Sequence, residues 1–276
     1  MMSVVAQDVS VPLPQSPPRE ESAPVAGTVK SVARAFRALE FVAARRDGAS
    51  AKEIAAHLDI ALPSTYHLLA TLVESGYLVH LANNARFGIG YQVRVLERGL
   101  TNQLEVPKAI RDAIAHLHVQ ADAAAYYAVY RETDVVLAHV VDSAQRPRVQ
   151  ALDVGFHEAS HATAFGKVML AAMDAEQRRD YLRRFSLLAC TTRTITDLRT
   201  LERHLDHVRE SGIALEIGEF QDGIACMAAP VRTPAGEVVA TVAVSIPLGL
   251  FAKRRWDLER AVRHGALVAN RALSVG

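Results

Sequence analysis

Four consecutive residues in the second half of the chain have the composition of a small anion-binding site. Thr163, Ala164, Phe165 and Gly166 lie at the predicted start of a helix. Unpaired backbone N–H groups at a helix N-terminus attract negative charge, and a glycine lets a ligand approach the backbone closely. We therefore expect an anion site there. The alternative is a tight turn in which the small residues pack against a neighbouring helix.

Histidine pairs are the other residues whose spacing bears on chemistry. His157 and His161 are four residues apart, and His204 and His207 are three apart, which is a spacing that can hold a metal ion. Such pairs more often lie in solvent or in a core. The sequence also contains no G-x-S-x-G or other Ser/His/Asp signature. It therefore predicts no catalytic residue, no metal site and no cofactor.

The cysteine content and the hydropathy pattern favour an intracellular protein. The 2 cysteines, Cys190 and Cys226, cannot build a disulfide framework. No apolar run reaches the roughly 18 residues that a membrane span requires. Residues 1–27 lack the basic start of a signal peptide and are rich in proline. We therefore expect a cytoplasmic protein with a mobile N-terminal arm over 1–27 and no membrane contact.

Length and charge limit the kinds of partner. A chain of 276 residues with 50% hydrophobic residues is long enough for two domains. Its formal net charge is only +1, so contact with a polyanion requires a local basic patch.

The residues after the arm predict three helices and a hairpin. Helices are expected over 29–46, 51–58 and from about 63 to 74. Ser50 and Glu53 have the spacing of a capping box before the second helix. Two short runs around Asn83–Asn84 predict the hairpin, because Asn tolerates a positive φ. The expected buried residues of the first and third helices are Val32, Phe36, Leu39 and Val42, and Tyr66, Leu69, Leu72 and Val73. This order is typical of a winged helix-turn-helix over 28–91.

The rest of the chain predicts a linker helix over 92–104 and an α+β domain over 105–276. Helices of this domain are expected at 105–120, 164–173, 174–185, 197–212 and 252–273. Strands are expected at 124–131, 135–141, 148–154, 213–217, 224–231 and 238–246. Strands joined by short turns indicate a largely antiparallel sheet with helices packed on it.

Several motifs occur in the order and spacing of one known family. The first half contains VKSVAR (29–34), LPSTYHLLATL (62–72), ESGY (74–77) and FGIG (87–90). The second half contains HATAFGK (161–167), LA (170–171) and GIACMAAPV (223–231). On these motifs, the chain from Val29 onward resembles the IclR family of bacterial transcriptional regulators. The resemblance implies a winged helix-turn-helix that binds DNA, a linker helix, a GAF-like effector-binding domain, and assembly as a homodimer or homotetramer.

A winged helix reads double-stranded DNA with exposed residues near the start of its third helix. Hydroxyl and imidazole groups there can bind phosphates or base edges, although they also fit an ordinary solvated face. Family members often carry basic residues on this helix, where this chain has Pro63 and His67–Leu68. The predicted DNA-binding residues are Lys30, Arg34, Lys52, Ser64, Thr65, His67, Thr71, Asn83, Asn84 and Arg86. Basic residues only slightly outnumber acidic ones here, so we expect two subunits on one palindromic operator.

The resemblance implies that a small-molecule effector contacts the strands of the second domain at Glu216, Cys226, Ala243 and Ser245. With the helix start and a residue at the pocket mouth, the full predicted effector set is Thr163, Ala164, Gly166, Glu216, Glu219, Cys226, Ala243 and Ser245. The helix start favours a small organic acid, and the apolar positions favour an aromatic one. Glu216 would repel an anion unless it is protonated or faces a donor on the ligand. Cys226 fits a small buried hydrophobe equally well.

Two other functions remain open at this point. The α+β half could be an enzyme that uses Cys226 or a histidine, although the winged-helix order argues against this. Alternatively, the winged helix could bind protein instead of DNA.

Overall fold

A computed structural model describes residues 29–81, 85–132 and 134–274. The chain forms two compact units that divide after Gln103. The expected arm, 1–27, and the expected hairpin tip, Asn83–Asn84, lie outside the described residues. Within the described ranges, no helix is both long enough and apolar enough to cross a membrane.

The first unit combines helices with a small sheet. Its elements are α1 (Lys30–Ala43), β1 (Ala49–Ser50), α2 (Ala51–Leu58), α3 (Leu62–Glu74), β2 (Leu78–Leu81), β3 (Arg86–Ile89) and α4 (Val93–Gln103). The antiparallel sheet has the order β1-β3-β2, and β1 was not predicted. The capping box is confirmed, because the Glu53 N–H donates to the Ser50 hydroxyl and the Ser50 N–H donates to the Glu53 carboxylate. The helix-turn-helix order and the hairpin are confirmed as well.

Two helices of this unit expose apolar side chains. Val42 of α1 is buried as expected, but Val32 and Phe36 are 49% and 59% exposed, so the predicted buried stripe of α1 is wrong at its N-terminal end. Helix α4 has no buried residue, and its Val95 and Leu96 are more than half exposed. Clustered exposed apolar side chains mark surfaces that bind a partner.

The second unit is an α+β structure. Its helices are α5 (Lys108–Ala121), α6 (Ala164–Ala172), α7 (Ala175–Arg184), α8 (Leu198–Ser211) and α9 (Leu248–Ser274). Its strands are β4 (Ala124–Arg131), β5 (Asp134–Val141), β6 (Ala214–Ile217), β7 (Ile224–Arg232) and β8 (Val238–Pro247). They form one antiparallel sheet in the order β5-β4-β8-β7-β6. The predicted fold class is therefore confirmed.

The sheet separates two hydrophobic layers. Alternate residues of β4 point to opposite faces, so Tyr127 packs in the layer of α5 and α9 while Tyr126 packs in the layer of α6 and α8. Because Glu216, Cys226 and Ser245 lie on the three neighbouring strands of this sheet, their positions depend on its register.

The expected strand over 148–154 is absent from the described sheet. Arg148 forms ion pairs with Asp142 (3.1 Å) and with Asp153 (2.6 Å). An extended strand would place Arg148 and Asp153 on opposite faces, because side chains alternate along a strand. The ion pairs therefore hold the segment in a folded-back conformation. The prediction of a strand over 148–154 rested on its apolar residues alone and is wrong.

The start of α6 packs tightly against the turn Ser160–Ala162 that precedes it. A Cβ atom added at Gly166 would lie 2.2 Å from the carbonyl oxygen of Ser160. Backbone cannot move aside as a flexible side chain can, so only glycine fits this contact. Gly166 thus fixes the position of α6 relative to the turn.

Replacing Gly166 by alanine should lower the melting temperature of the full chain. The added methyl group forces α6 away from Ser160, and overpacking of this kind costs about 1–3 kcal/mol. Gly249→Ala is the matched control, because a Cβ at this helical glycine meets no atom within 4 Å. The control should melt at or slightly above the wild-type temperature, since alanine favours helix by about 1 kcal/mol. Equal melting temperatures for the two variants would contradict the packing argument.

Candidate functional site

Helix α3 buries Leu69 and Leu72 as expected, but it buries Thr65 in place of Tyr66. Thr65, Leu69 and Leu72 are buried, whereas Tyr66 is 54% exposed. The Thr65 hydroxyl donates to the carbonyl oxygen of Ala61 at 3.2 Å. The prediction that Thr65 contacts DNA is therefore wrong, as is the prediction that Tyr66 is buried. Residues four and seven positions apart share a helix face, so Thr65 belongs with the two leucines.

The opposite face of α3 remains polar and accessible. Ser64, His67 and Thr71 are exposed, as expected for residues that could enter a DNA groove. The Thr71 hydroxyl donates to the carbonyl oxygen of His67 at 3.1 Å. The basic residues predicted around this face, Lys30, Arg34 and Lys52, are exposed too.

Arg86 holds the hairpin to the body of the first unit. Its guanidinium donates to the carbonyl oxygens of Asp47 (3.1 Å) and Gly48 (2.9 Å), and it pairs with Glu53. Hydrogen bonds from Ser50, together with Arg86, lower the pKa of Glu53 to about 2. These contacts occupy the guanidinium that the sequence assigned to DNA, so Arg86 has a structural role here.

Three of the predicted effector residues lie side by side across the sheet. Glu216 of β6 is paired with Cys226 of β7, and Cys226 is paired with Ser245 of β8. Ala243 lies two residues before Ser245 and therefore faces the same layer, towards α6. Sequence reasoning missed Tyr126, whose hydroxyl lies 2.8 Å from the Ser245 hydroxyl.

A buried ion pair joins α6 to the loop after β6. Lys167 has no exposed surface, and its Nζ lies 2.5 Å from Oε1 of Glu219. Nζ also donates to the carbonyl oxygen of Leu215 at 3.4 Å. Burial lowers the pKa of Lys167, while Glu219 acts in the opposite direction. Lys167 stands in the HATAFGK motif, but its role was not predicted, because lysine is rarely buried.

Glu216 is almost fully buried next to this pair. Its Oε1 accepts the backbone N–H groups of Glu219 and Phe220, the latter at 3.0 Å. Its Oε2, and Oε2 of Glu219, are buried and have no hydrogen-bond partner among the described residues. Burial raises the pKa of Glu216, and burial together with Glu216 raises that of the Cys226 thiol well above its ordinary value. Cys226 is therefore a neutral thiol and not a nucleophile.

The segment before α8 is hydrogen-bonded to the loop after β6, which contains Glu219. The Thr194 hydroxyl donates to the carbonyl oxygen of Glu219 at 2.6 Å, and the Thr191 hydroxyl donates to that of Gly218 at 2.7 Å. Cys190 of the same segment is half-buried, and burial raises the pKa of its thiol, with a further contribution from Glu216.

The helix start at Thr163–Gly166 is occupied by its own contacts. The Gly166 N–H donates to the Thr163 hydroxyl at 3.2 Å, and the Lys167 N–H donates to the Thr163 carbonyl oxygen at 3.0 Å. The space in front of Gly166 is filled by Ser160. The predicted close approach of a ligand to Gly166 is therefore wrong, and the alternative of a tight, small-residue contact describes this turn.

The ring nitrogens of the first histidine pair lie against backbone carbonyl groups. The His161 ring lies 3.0 Å from the Leu188 carbonyl oxygen, and the His157 ring lies 2.9 Å from that of Gly155. Burial, with Lys167 and His207 nearby, lowers the pKa of His204 to about 4. In the part of the chain that the structure describes, no group of three or more His, Cys, Asp or Glu side chains is placed to hold a metal ion.

An open cleft of about 350 Å³ lies at the other end of α6. It is bordered by Met173 and Asp174, by Arg209 of α8 and by Glu237 near β8. None of the eight predicted effector residues lines it. The buried polar cluster, in contrast, brings titratable groups together on the sheet face that α6 covers, so it is the stronger candidate for a ligand site.

Comparison with known proteins identifies both halves of the chain. Residues 31–82 match a family model described as the IclR helix-turn-helix domain. Residues 99–270 match one described as bacterial transcriptional regulator IclR C-terminal.

Relatives of known function and structure align over most of their length. The chain is 29% identical to the glycerol operon regulatory protein of Streptomyces coelicolor over 259 residues, covering 91% of this chain and 99% of that protein. It is 24% identical to the transcriptional repressor IclR of Escherichia coli K12, and the match covers 94% of this chain and 93% of that protein. A crystal structure of an IclR homolog from Microbacterium hydrocarbonoxydans, complexed with 4-hydroxybenzoate, shares the fold with a TM-score of 0.66 at 20% identity, covering 87% of this chain and 98% of that one. The chain belongs to the IclR family of bacterial transcriptional regulators and is a helix-turn-helix regulator with a C-terminal effector domain.

Proposed function

We propose that this regulator binds the two halves of a palindromic operator in the cytoplasm as a homodimer or homotetramer. An effector held in the second unit changes its affinity for DNA. The observation that carries the DNA-binding part is the exposed polar face of α3, with Ser64, His67 and Thr71 directed away from the core of a helix-turn-helix. Both halves match family models of transcriptional regulators, and Cys226 is a neutral, buried thiol, so the catalytic alternative finds no support.

Within this face, His67 is the residue that we assign to base reading. It lies opposite the stripe of Thr65, Leu69 and Leu72, so it would point into the major groove when α3 docks. Arg34 is exposed on α1, where we assign it to a phosphate. Phosphate contacts add affinity without sequence information.

We further propose that the exposed apolar residues of α1 and α4 are covered by a second copy of the chain. Val32 and Phe36 of α1 and Val95 and Leu96 of α4 all lie in the first unit. Self-association through these helices would set two α3 helices at a fixed spacing, which is what a palindromic operator requires.

The effector site that we propose is the buried polar cluster of the second unit, which contains Glu216, Cys226, Ser245 and the Lys167–Glu219 pair. A small organic acid or aromatic compound is the ligand class that the sequence favours. The complex of a homolog with 4-hydroxybenzoate supports an effector of that size in this fold. Phe156 packs edge-on against Phe220 in the same layer and adds an aromatic surface.

His67→Ala should weaken operator binding by about 1–3 kcal/mol while leaving affinity for an unrelated duplex near wild type, because it removes a base contact. Arg34→Ala should weaken binding to the operator and binding to the unrelated duplex alike. Thr65→Val is the control: Thr65 is buried, so it should lower stability but not the operator affinity of the folded chain. Anisotropy titrations on an operator selected from random DNA measure all three. Unchanged operator affinity in His67→Ala would refute the groove assignment.

The same titrations, repeated over a salt series, distinguish DNA binding from a protein-interaction module. Phosphate contacts give a steep fall in affinity with rising salt, because condensed counterions are released. A flat salt dependence would contradict the proposed function as a whole.

Leu96→Asp should convert the full chain to a monomer and weaken operator binding, because a charge cannot be buried between two apolar helix faces without a partner. Asn102→Asp adds the same charge to an exposed position of the same helix and should leave the assembly intact. Sedimentation velocity at micromolar concentration measures the mass. A wild-type monomer that binds the operator tightly, or a Leu96→Asp dimer, would show that α4 is not the interface.

A further inference from the structure

We propose that His116 of α5 and His264 of α9 bind one Zn²⁺ ion on the outer surface of the second unit. Both residues are exposed, on the side of the sheet that α5 and α9 cover. The site is therefore separate from the buried polar cluster, which lies on the opposite side of the sheet, beneath α6. It also differs from the histidine pairs that their spacing in the sequence singled out, because its two residues come from different helices.

The two imidazole rings are close enough to share one ion. Their centroids are 6.4 Å apart, and the ring planes are inclined by 58°. A zinc ion lies about 2.0–2.1 Å from a histidine nitrogen, so two rings bound to the same ion have centroids about 5–6 Å apart. Both side chains are exposed, so rotation about their side-chain bonds closes the difference without movement of either helix.

The helices that carry the rings are held together at this level. A Cβ atom added at Gly265, the residue after His264, would lie 3.1 Å from Cδ2 of Leu117, the residue after His116. The two helices are therefore in close contact beside the rings. Arg254 of α9 also donates to the carbonyl oxygen of Asp122, just after the end of α5, at 3.2 Å. Ligands on helices fixed in this way keep their geometry better than ligands on loops.

A hydrogen bond prepares His264 to act as a ligand. Its Nδ1 lies 3.1 Å from Oε1 of Gln120, which is one turn after His116 on α5. An amide oxygen only accepts, so Nδ1 carries the proton and Nε2 keeps a lone pair for a metal ion. Histidine ligands of metal ions commonly donate their second ring N–H to such an oxygen, which fixes the orientation of the ring. Gln120 is thus a positioning residue of the site.

The two nitrogen donors select the class of ion. Imidazole suits Zn²⁺, Cu²⁺ and Ni²⁺, whereas Mg²⁺ and Ca²⁺ require oxygen ligands. The described residues provide no group of three or more His, Cys, Asp or Glu side chains for a metal ion, so water completes the coordination of zinc. A site with two protein ligands and open positions binds its ion reversibly, with an affinity in the micromolar range, unlike a closed structural zinc site.

The test is a calorimetric titration of the full chain, freed of metal with a chelator, with zinc chloride. We expect one ion per chain, and no binding of magnesium chloride. Loss of a partner that orients a ligand costs about 10–100-fold in metal affinity, and loss of the ligand itself costs at least as much. His116→Ala and His264→Ala should therefore each weaken zinc binding by at least that factor. His207→Ala is the matched control, because His207 is exposed on α8 of the same unit.

Several outcomes of this titration would overturn the proposal. They are wild-type affinity in His116→Ala or His264→Ala, a loss in His207→Ala as large as in those two variants, and a ratio of one ion to two chains. Alanine favours helix at exposed positions, so the variants should fold. Zinc should raise the melting temperature of the wild type and of His207→Ala, because it binds only the folded chain, and should leave that of the other two unchanged.

The positioning role of Gln120 has a separate test. Gln120→Ala should weaken zinc binding roughly tenfold while both histidines still bind the ion, and Gln120→Glu should restore the affinity, because a carboxylate also accepts from Nδ1. Electron paramagnetic resonance with Cu²⁺ as the probe counts the nitrogen ligands. We expect two nitrogens in the wild type and in Gln120→Ala, and one in each variant that lacks a histidine. Two nitrogens in His116→Ala or His264→Ala would overturn the assignment of the ligands, and unchanged zinc affinity in Gln120→Ala would overturn that of Gln120.

Discussion

A lysine ammonium group cannot enter a protein interior without a compensating charge, and Glu219 provides that charge for Lys167. The intact pair adds little to stability, but removing one partner of such a pair costs about 3–5 kcal/mol. The pair therefore acts mainly as a geometric restraint. Helix α6 cannot shift along the sheet unless the loop after β6 moves with it.

The loop that carries Glu219 connects three elements through its backbone. The Glu219 N–H is held by the carboxylate of Glu216, and the Glu219 carbonyl oxygen is held by the Thr194 hydroxyl. Strand β6, helix α6 and the segment before α8 thus meet at one residue. A ligand bound at the proposed site would act on all three elements, because their contacts share Glu219.

Local sequence chemistry predicted the elements better than it predicted their buried faces. The capping box at Ser50 predicted the start of α2, and the helix starts predicted at Asp174 and Asp197 coincide with the N-cap residues of α7 and α8. The buried face of α3 could not be predicted in the same way, because Thr65 and Tyr66 both carry enough apolar surface for burial. In the folded unit Thr65 is the buried residue, and its hydroxyl donates to the Ala61 carbonyl oxygen one turn earlier. The same limit produced the false strand over 148–154, where ion pairs override the apolar pattern.

At the candidate site, too, the sequence predicted which residues take part but not the contacts between residues that are distant in the chain. The positions of Glu216, Cys226 and Ser245 followed from family resemblance, and strand register places them in one row. The role of Lys167 could not follow from any local rule, because its burial depends on a carboxylate 52 residues away. A ligand shifts a conformational equilibrium only by the difference in its affinity for the two states. At the proposed site, such a difference would come from the contacts that tie α6 and the segment before α8 to Glu219, because these contacts hold only in the arrangement described here.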